Sequence, residues 1–156
     1  MTHEANATPR ILVDTNILID FYQDRRPFSD LAVQLMVAES FGDVELWASA
    51  KSFTDVFYVL SRRCEGTALQ RAFKESLAWL NVCSVDKGDI ERATERAWPD
   101  FEDCLVSLAA EKVGADFLVT RDARGFERSR VPALSPQELF DYLERERGIT
   151  YDTMDW

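Results

Sequence analysis

With 156 residues and 46% apolar side chains, the chain suits one domain with a full core. Its 18 basic and 28 acidic residues give a formal charge of −10, which argues against tight nonspecific binding to duplex DNA. One histidine, His3, and three scattered cysteines, Cys64, Cys83 and Cys104, nearly exclude histidine-based catalysis and sites built on thiolate or imidazole ligands.

Residues 1–9 read as a disordered lead, and a single domain is expected over 10–147. ILV (11–13) is a short buried strand, with a helix expected after Asn16. QDRRP (23–27) is a loop. Ser29 is the expected cap of a helix through Phe41, stopped by Gly42. VELWA (44–48) is a strand, and Ser49 or Ser52 starts a helix to about Arg63. CEG (64–66) breaks it. Thr67 to Leu80 reads as helical, with Leu69, Phe73, Leu77 and Leu80 on one stripe.

NVCSV (81–85) is the next strand, and Asp86 caps a helix over about 89–97. Pro99 ends it, and another helix runs from about Asp100 to Lys112 and closes at Gly114. DFLVT (116–120) and VPAL (131–134) are strands. SPQE (135–138) is a capping box with proline at the first helical position, leading a helix to about Arg147. The tail 148–156 carries no clear pattern. Strands alternating with helices imply an α/β fold, a parallel sheet covered on both faces with its ligand crevice at the carboxyl ends of the strands. The cysteine pattern suggests reduced thiols and a cytoplasmic protein. No run approaches the roughly 20 apolar residues that cross a bilayer, and no secretory leader is expected, so no membrane partner is.

Four aspartates interrupt or end apolar segments. Asp14 ends ILVD (11–14), and Asp55 interrupts FTDVFYVL (53–60). Asp103 interrupts FEDCLVSLAA (101–110), and Asp122 follows FLVTR (117–121). Ionised carboxylates among apolar neighbours need a partner or a cation. Each also has a plain structural reading. Asp14 or Asn16 can cap a helix, and so can Asp100. Asp55 can pair with Lys51, four residues earlier, although its nearly all-apolar helix suggests burial. Asp122 can be balanced by Arg121 or Arg124 in the arginine-rich stretch RDARGFERSR (121–130). Together the four suggest one shared site. Carboxylates packed together repel unless a cation is bound, and oxygen-only ligands select hard ions, Mg²⁺ or Mn²⁺.

The stretches ILVDTNILID (11–20), ASAKSFTDVFYVL (48–60), DFEDCLVSLAAEKVGADFLVTRD (100–122) and VPALSPQELF (131–140) resemble the PIN-domain family, which includes VapC-type toxins of toxin–antitoxin pairs. The resemblance implies a three-layer α/β/α sandwich around a four- to five-stranded parallel sheet. It implies an Mg²⁺- or Mn²⁺-dependent endoribonuclease acting on single-stranded RNA. It places the family's four metal-binding, catalytic acids at Asp14, Asp55, Asp103 and Asp122, with Asn16 and Thr120 in support. Asp100 matches a commonly acidic flanking position. The second acid is more often glutamate, and aspartate is one methylene shorter. A haloacid-dehalogenase-type phosphatase would need a second acid where Asn16 stands. A flap-type nuclease would need insertions that this chain lacks.

The expected mechanism is hydrolysis by metal-activated water, leaving a 5′ phosphate and a 3′ hydroxyl. Cations at the rim would guide RNA, single-stranded or structured, past the acids: Arg25, Arg26, Lys51, Arg121 and Arg124. Apolar surface on the helices at 29–41 and 50–63 would dock an antitoxin protein or a second copy of the chain, and a homodimer is expected. The competing reading is a catalytically weak or inactive PIN-like module that binds or regulates.

Overall fold

The computed structural model describes residues 7–24 and 26–151. Most of the expected lead, the end of the tail and Arg25 lie outside them. Five strands run parallel in one sheet: β1 (Arg10–Val13), β2 (Glu45–Ser49), β3 (Leu80–Cys83), β4 (Phe117–Val119) and β5 (Ala133–Leu134). Their order is β3-β2-β1-β4-β5. Seven α-helices connect and cover them: α1 (Thr15–Gln23), α2 (Phe28–Ser40), α3 (Ala50–Leu60), α4 (Gly66–Ser76), α5 (Lys87–Arg96), α6 (Phe101–Lys112) and α7 (Pro136–Arg147). A 3₁₀ turn spans Ala123–Phe126. None of these helices is long and apolar enough to cross a membrane.

Strand side chains alternate between the two faces of the sheet. Ile11 and Val13 of β1 join a core built with α1, α2, α3, α4 and α7. Leu12 faces the other way and packs with Leu118 of β4 against Val106, Ala109 and Ala110 of α6. Helix α5 then packs on α6 through Ala93, Leu105 and Leu108. Both faces are covered, which is why the central strands are apolar throughout.

Several helix ends differ from the sequence expectation. Helix α1 starts at Thr15, two residues early, because Asp14 itself is the cap. Helix α2 starts at Phe28, and Ser29 is buried inside it instead of capping it. Helix α4 stops at Ser76, whose hydroxyl donates back to the carbonyls of Ala72 and Phe73, and Leu80 is given to β3, where it pairs with Leu46. Helix α3 ends at Leu60 and is not buried all round: Tyr58 is 67% exposed and Val59 43%. The expected stops at Gly42 and Gly114 hold, both with left-handed backbone (φ 76° and 64°).

Asp89 ties α5 to α6. Its carboxylate accepts from the Asp86 backbone N–H (2.9 Å), Arg92 (2.6 Å) and Lys112 of α6 (3.0 Å). Burial alone would raise its pKa, but these donors outweigh it and hold the carboxyl below its ordinary value. A depressed carboxyl adds stability above its unfolded value and loses it as the pH falls through the folded one. Asp89→Asn should therefore cost about 2 kcal/mol in urea melts near pH 7. The gap to wild type should close as the pH drops below 3.8. A gap that persists in acid would mean that the carboxylate's charge is not what holds the two helices.

Candidate functional site

The carboxyl ends of β1 and β4 lie side by side, since the Asp14 N–H bonds the Val119 carbonyl (2.9 Å). Asp14 is only 7% exposed. One of its oxygens caps α1 through the Thr15 N–H (2.7 Å), and the other accepts from the Thr120 hydroxyl (2.8 Å). Capping is thus real, and each carboxylate oxygen keeps a further lone pair. The Thr120 oxygen also accepts from the Asn16 amide (3.3 Å) and from the Asp122 N–H (3.0 Å). Asn16 in turn accepts from the Arg121 N–H (3.3 Å). One buried hydroxyl therefore joins Asp14, Asn16 and the backbone of Asp122.

Asp103 enters from the first turn of α6. Asp100 caps that helix, accepting from the Asp103 N–H (3.0 Å). Asp103 and Asp122 both face Gly125 in the 3₁₀ turn. A Cβ at Gly125 would stand 2.5 Å from Asp103 Oδ2 and 3.3 Å from Asp122 Oδ2. Only a glycine lets both carboxylates approach there.

Asp55, on α3, lies across a cleft of about 300 Å³ whose walls include Asp14, Asn16, Lys51, Glu102 and Asp103. It is held by Lys51 (2.7 Å), which also reaches Glu102 on α6 (3.2 Å). The lysine pair is formed, and Asp55 is compensated by an ammonium group that spans the cleft wall.

Charge crowding shows in the titration of the group. Burial raises the Asp103 carboxyl to about 6, with like charge from Asp100, Asp14, Asp122 and Glu102 adding to it. Burial likewise raises Asp14. The Thr120 hydroxyl and Thr15 N–H oppose it, and Asp122 and Asp100 add to it. Among the described residues no three His, Cys, Asp or Glu side chains are already close enough to enclose an ion. The acids form a shared negative field with an open centre. Its donors are carboxylate oxygens under mutual repulsion, a chemistry that fits a hard divalent cation.

The rim cations are placed differently from one another. Arg121 does not balance Asp122. Its guanidinium pairs with buried Asp20 of α1 (2.6 and 3.2 Å) and lies 4.3 Å over the Phe28 ring. Arg26 is exposed and reaches Asp30 at 3.8 Å. Arg124 is exposed in the 3₁₀ turn. Sequence reasoning missed Gly125, Glu102 and Asp20. Of these, only the lone glycine between Asp122 and Phe126 left a visible mark in the sequence.

A PIN-domain family model matches residues 10–124. The chain belongs to the PIN-domain family. This PIN domain is 28% identical over 138 residues to ribonuclease VapC1 of Aquifex aeolicus (strain VF5), across 83% of this chain and 92% of the relative. Its fold is similar to a chain of a toxin–antitoxin complex from Klebsiella pneumoniae (TM-score 0.60, 20% identity, 81% of this chain and 97% of the other). It is also similar to Mycobacterium tuberculosis VapC20, described as a sarcin–ricin loop cleaving toxin (TM-score 0.58, 20% identity, 69% and 86%). At that identity the two structures show a common fold.

The raised Asp103 carboxyl makes a stability prediction. Below its ordinary value of 3.8 both folded and unfolded chains hold the proton. As the pH rises towards 6 the unfolded chain ionises first, so the folded state loses ground, and the loss is complete above that value. In EDTA at pH 7, Asp103→Asn should raise Tm by about 2–4 °C, allowing for its partial exposure to solvent. The gain should vanish near pH 4. A lowered Tm at pH 7 would show that the carboxylate stabilises the metal-free fold.

Proposed function

We propose that this PIN domain is a divalent-metal-dependent endoribonuclease that hydrolyses single-stranded RNA, and that it serves as the toxin of a toxin–antitoxin pair. The observation that carries the reading is the crowd of carboxylates at the strand ends, Asp14, Asp103 and Asp122, in which burial, and then the charge of neighbouring acids, raises the Asp14 and Asp103 carboxyls. Nucleases of this family generally depend on a divalent cation.

Asp14, Asp103 and Asp122 would hold Mg²⁺ or Mn²⁺, with Asp55 completing the set directly or through water. A cation bound there supplies an activated water and neutralises charge on the leaving oxygen. The chain's own residues prepare the place. Thr120 and Asn16 fix the orientation of Asp14 and of the backbone at Asp122. Asp100 pins the start of α6 and so the position of Asp103. Gly125 keeps the space between Asp103 and Asp122 open. Lys51 sets a positive charge on the cleft wall for a phosphate to meet, and Arg26, Arg121 and Arg124 extend it at the rim; Arg25 shares that assignment from sequence alone.

The relative that cleaves the sarcin–ricin loop keeps a structured RNA loop within the substrate class. The similarity to a chain of a toxin–antitoxin complex supports an antitoxin partner. Exposed Phe41 at the end of α2 and Val59 of α3 offer apolar surface for it or for a second copy of the chain. One observation favours the inactive-module reading: Asp55 is a short acid already neutralised by Lys51.

A panel of RNA and DNA oligonucleotides with Mg²⁺, Mn²⁺ or EDTA separates the two. Metal-dependent cleavage of single-stranded RNA, leaving 5′ phosphates, is expected. Asp14→Asn should reduce it to background without unfolding the protein. Gly125→Ala should cost about 10–100-fold, the scale for disturbing the surroundings of metal ligands. Cleavage that survives EDTA, or an Asp14→Asn variant working at the wild-type rate, would contradict the reading.

A further inference from the structure

We propose that a second groove, opening off the acidic cleft and walled by Tyr58, Arg62, Arg63 and Arg121, is the track that holds the RNA strand next to the cleaved bond. This rests on the ribonuclease reading above. The groove measures about 370 Å³ and shares Ile19 of α1 and Val59 of α3 with the acidic cleft, so the two adjoin. Among the described residues three arginines line it, and no aspartate or glutamate does. Arg121 is already met by Asp20, so Arg62 and Arg63 carry the excess, a local reversal of sign in a chain of net charge −10.

The reversal answers a physical difficulty. Carboxylates in the cleft repel a polyanion, so a strand can reach them only if cations just outside hold its flanking phosphates. Arg62 and Arg63 stand in the turn after α3, both exposed, and neither forms an ion pair among the described residues. Their guanidinium groups suit phosphate oxygens. Tyr58, one turn back on α3, is two-thirds exposed, and the Arg62 guanidinium lies 4.7 Å from its ring centre and donates to its hydroxyl (2.6 Å). An exposed aromatic ring beside an arginine is a stacking platform for an unpaired base. Arg121 is held in place by Asp20 and Phe28, and lines the groove on its α1 side. A single strand, with bases free to stack and phosphates close to one wall, fits these groups better than a duplex.

The test is fluorescence anisotropy with a labelled single-stranded RNA of roughly ten nucleotides, in EDTA to keep hydrolysis silent. Wild type is compared with Arg62→Ser/Arg63→Ser, Arg62→Lys/Arg63→Lys and Tyr58→Ala. The serine pair should weaken binding at least about tenfold and lower the slope of log affinity against log salt by about 1.4, two phosphate contacts' worth. The lysine pair should keep most of the slope. Tyr58→Ala should weaken binding about fivefold or more and leave the slope alone. Unchanged affinity and slope in all three variants would overturn the proposal. So would a serine pair that binds RNA normally but fails to hold a protein partner or a second copy, since the groove would then be a protein interface. If RNA binding falls as stated but wild type cuts no RNA with Mg²⁺ or Mn²⁺, the groove stands and the ribonuclease reading fails. If RNA is cut and the variants bind it normally, the groove alone fails.

Discussion

Like charges held close in a partly buried cleft must take up protons or gain a counter-ion, and the fold brings such charges together at the carboxyl edge of its sheet. Asp14 and Asp122 follow adjacent parallel strands, so chain connectivity alone sets them near each other. Asp103 arrives from α6, which packs on the face of the same two strands. The sheet therefore converts three sequence-distant segments into one electrostatic unit. The buried Thr120 hydroxyl stitches two of them, and the bare Gly125 makes room for the third.

The opposing charges are arranged around that unit. Lys51 bridges Asp55 and Glu102 on one wall of the cleft. Arg121 is drawn away towards Asp20 and Phe28. Neither neutralises Asp14, Asp103 or Asp122, which stay under mutual repulsion. A protein gains nothing in stability from such an arrangement, since it opposes ionisation in the folded state. Sites of this kind are where function displaces stability as the determinant of sequence.

Much of the fold was legible because its signals are local. Alternating apolar strands and helices, the SPQE capping box and the stops at Gly42 and Gly114 need only a few neighbouring residues to read. The post-strand aspartates were legible for the same reason: a charge next to ILV or FLV is anomalous wherever the chain goes. What stayed hidden depends on distant partners. That Arg121 turns to Asp20 rather than Asp122 follows from β4 lying beside β1. That Tyr58 and Val59 are exposed follows from which side of α3 its neighbours α1, α4 and β2 cover, which a nearly all-apolar sequence cannot report. Gly125 showed only as a lone glycine, and its role stayed hidden because it lies in what approaches the residue, not in its own conformation.

The central claim is that these carboxylates are a cation site whose protons the cation must displace. Titration calorimetry with Mn²⁺ at pH 6, repeated in buffers of different ionisation enthalpy, counts the protons released. With the Asp103 carboxyl at about 6, Mn²⁺ binding should expel about half a proton from that group at pH 6 and almost none at pH 8. Absence of binding, or binding with the same proton release in Asp103→Asn, would contradict the account.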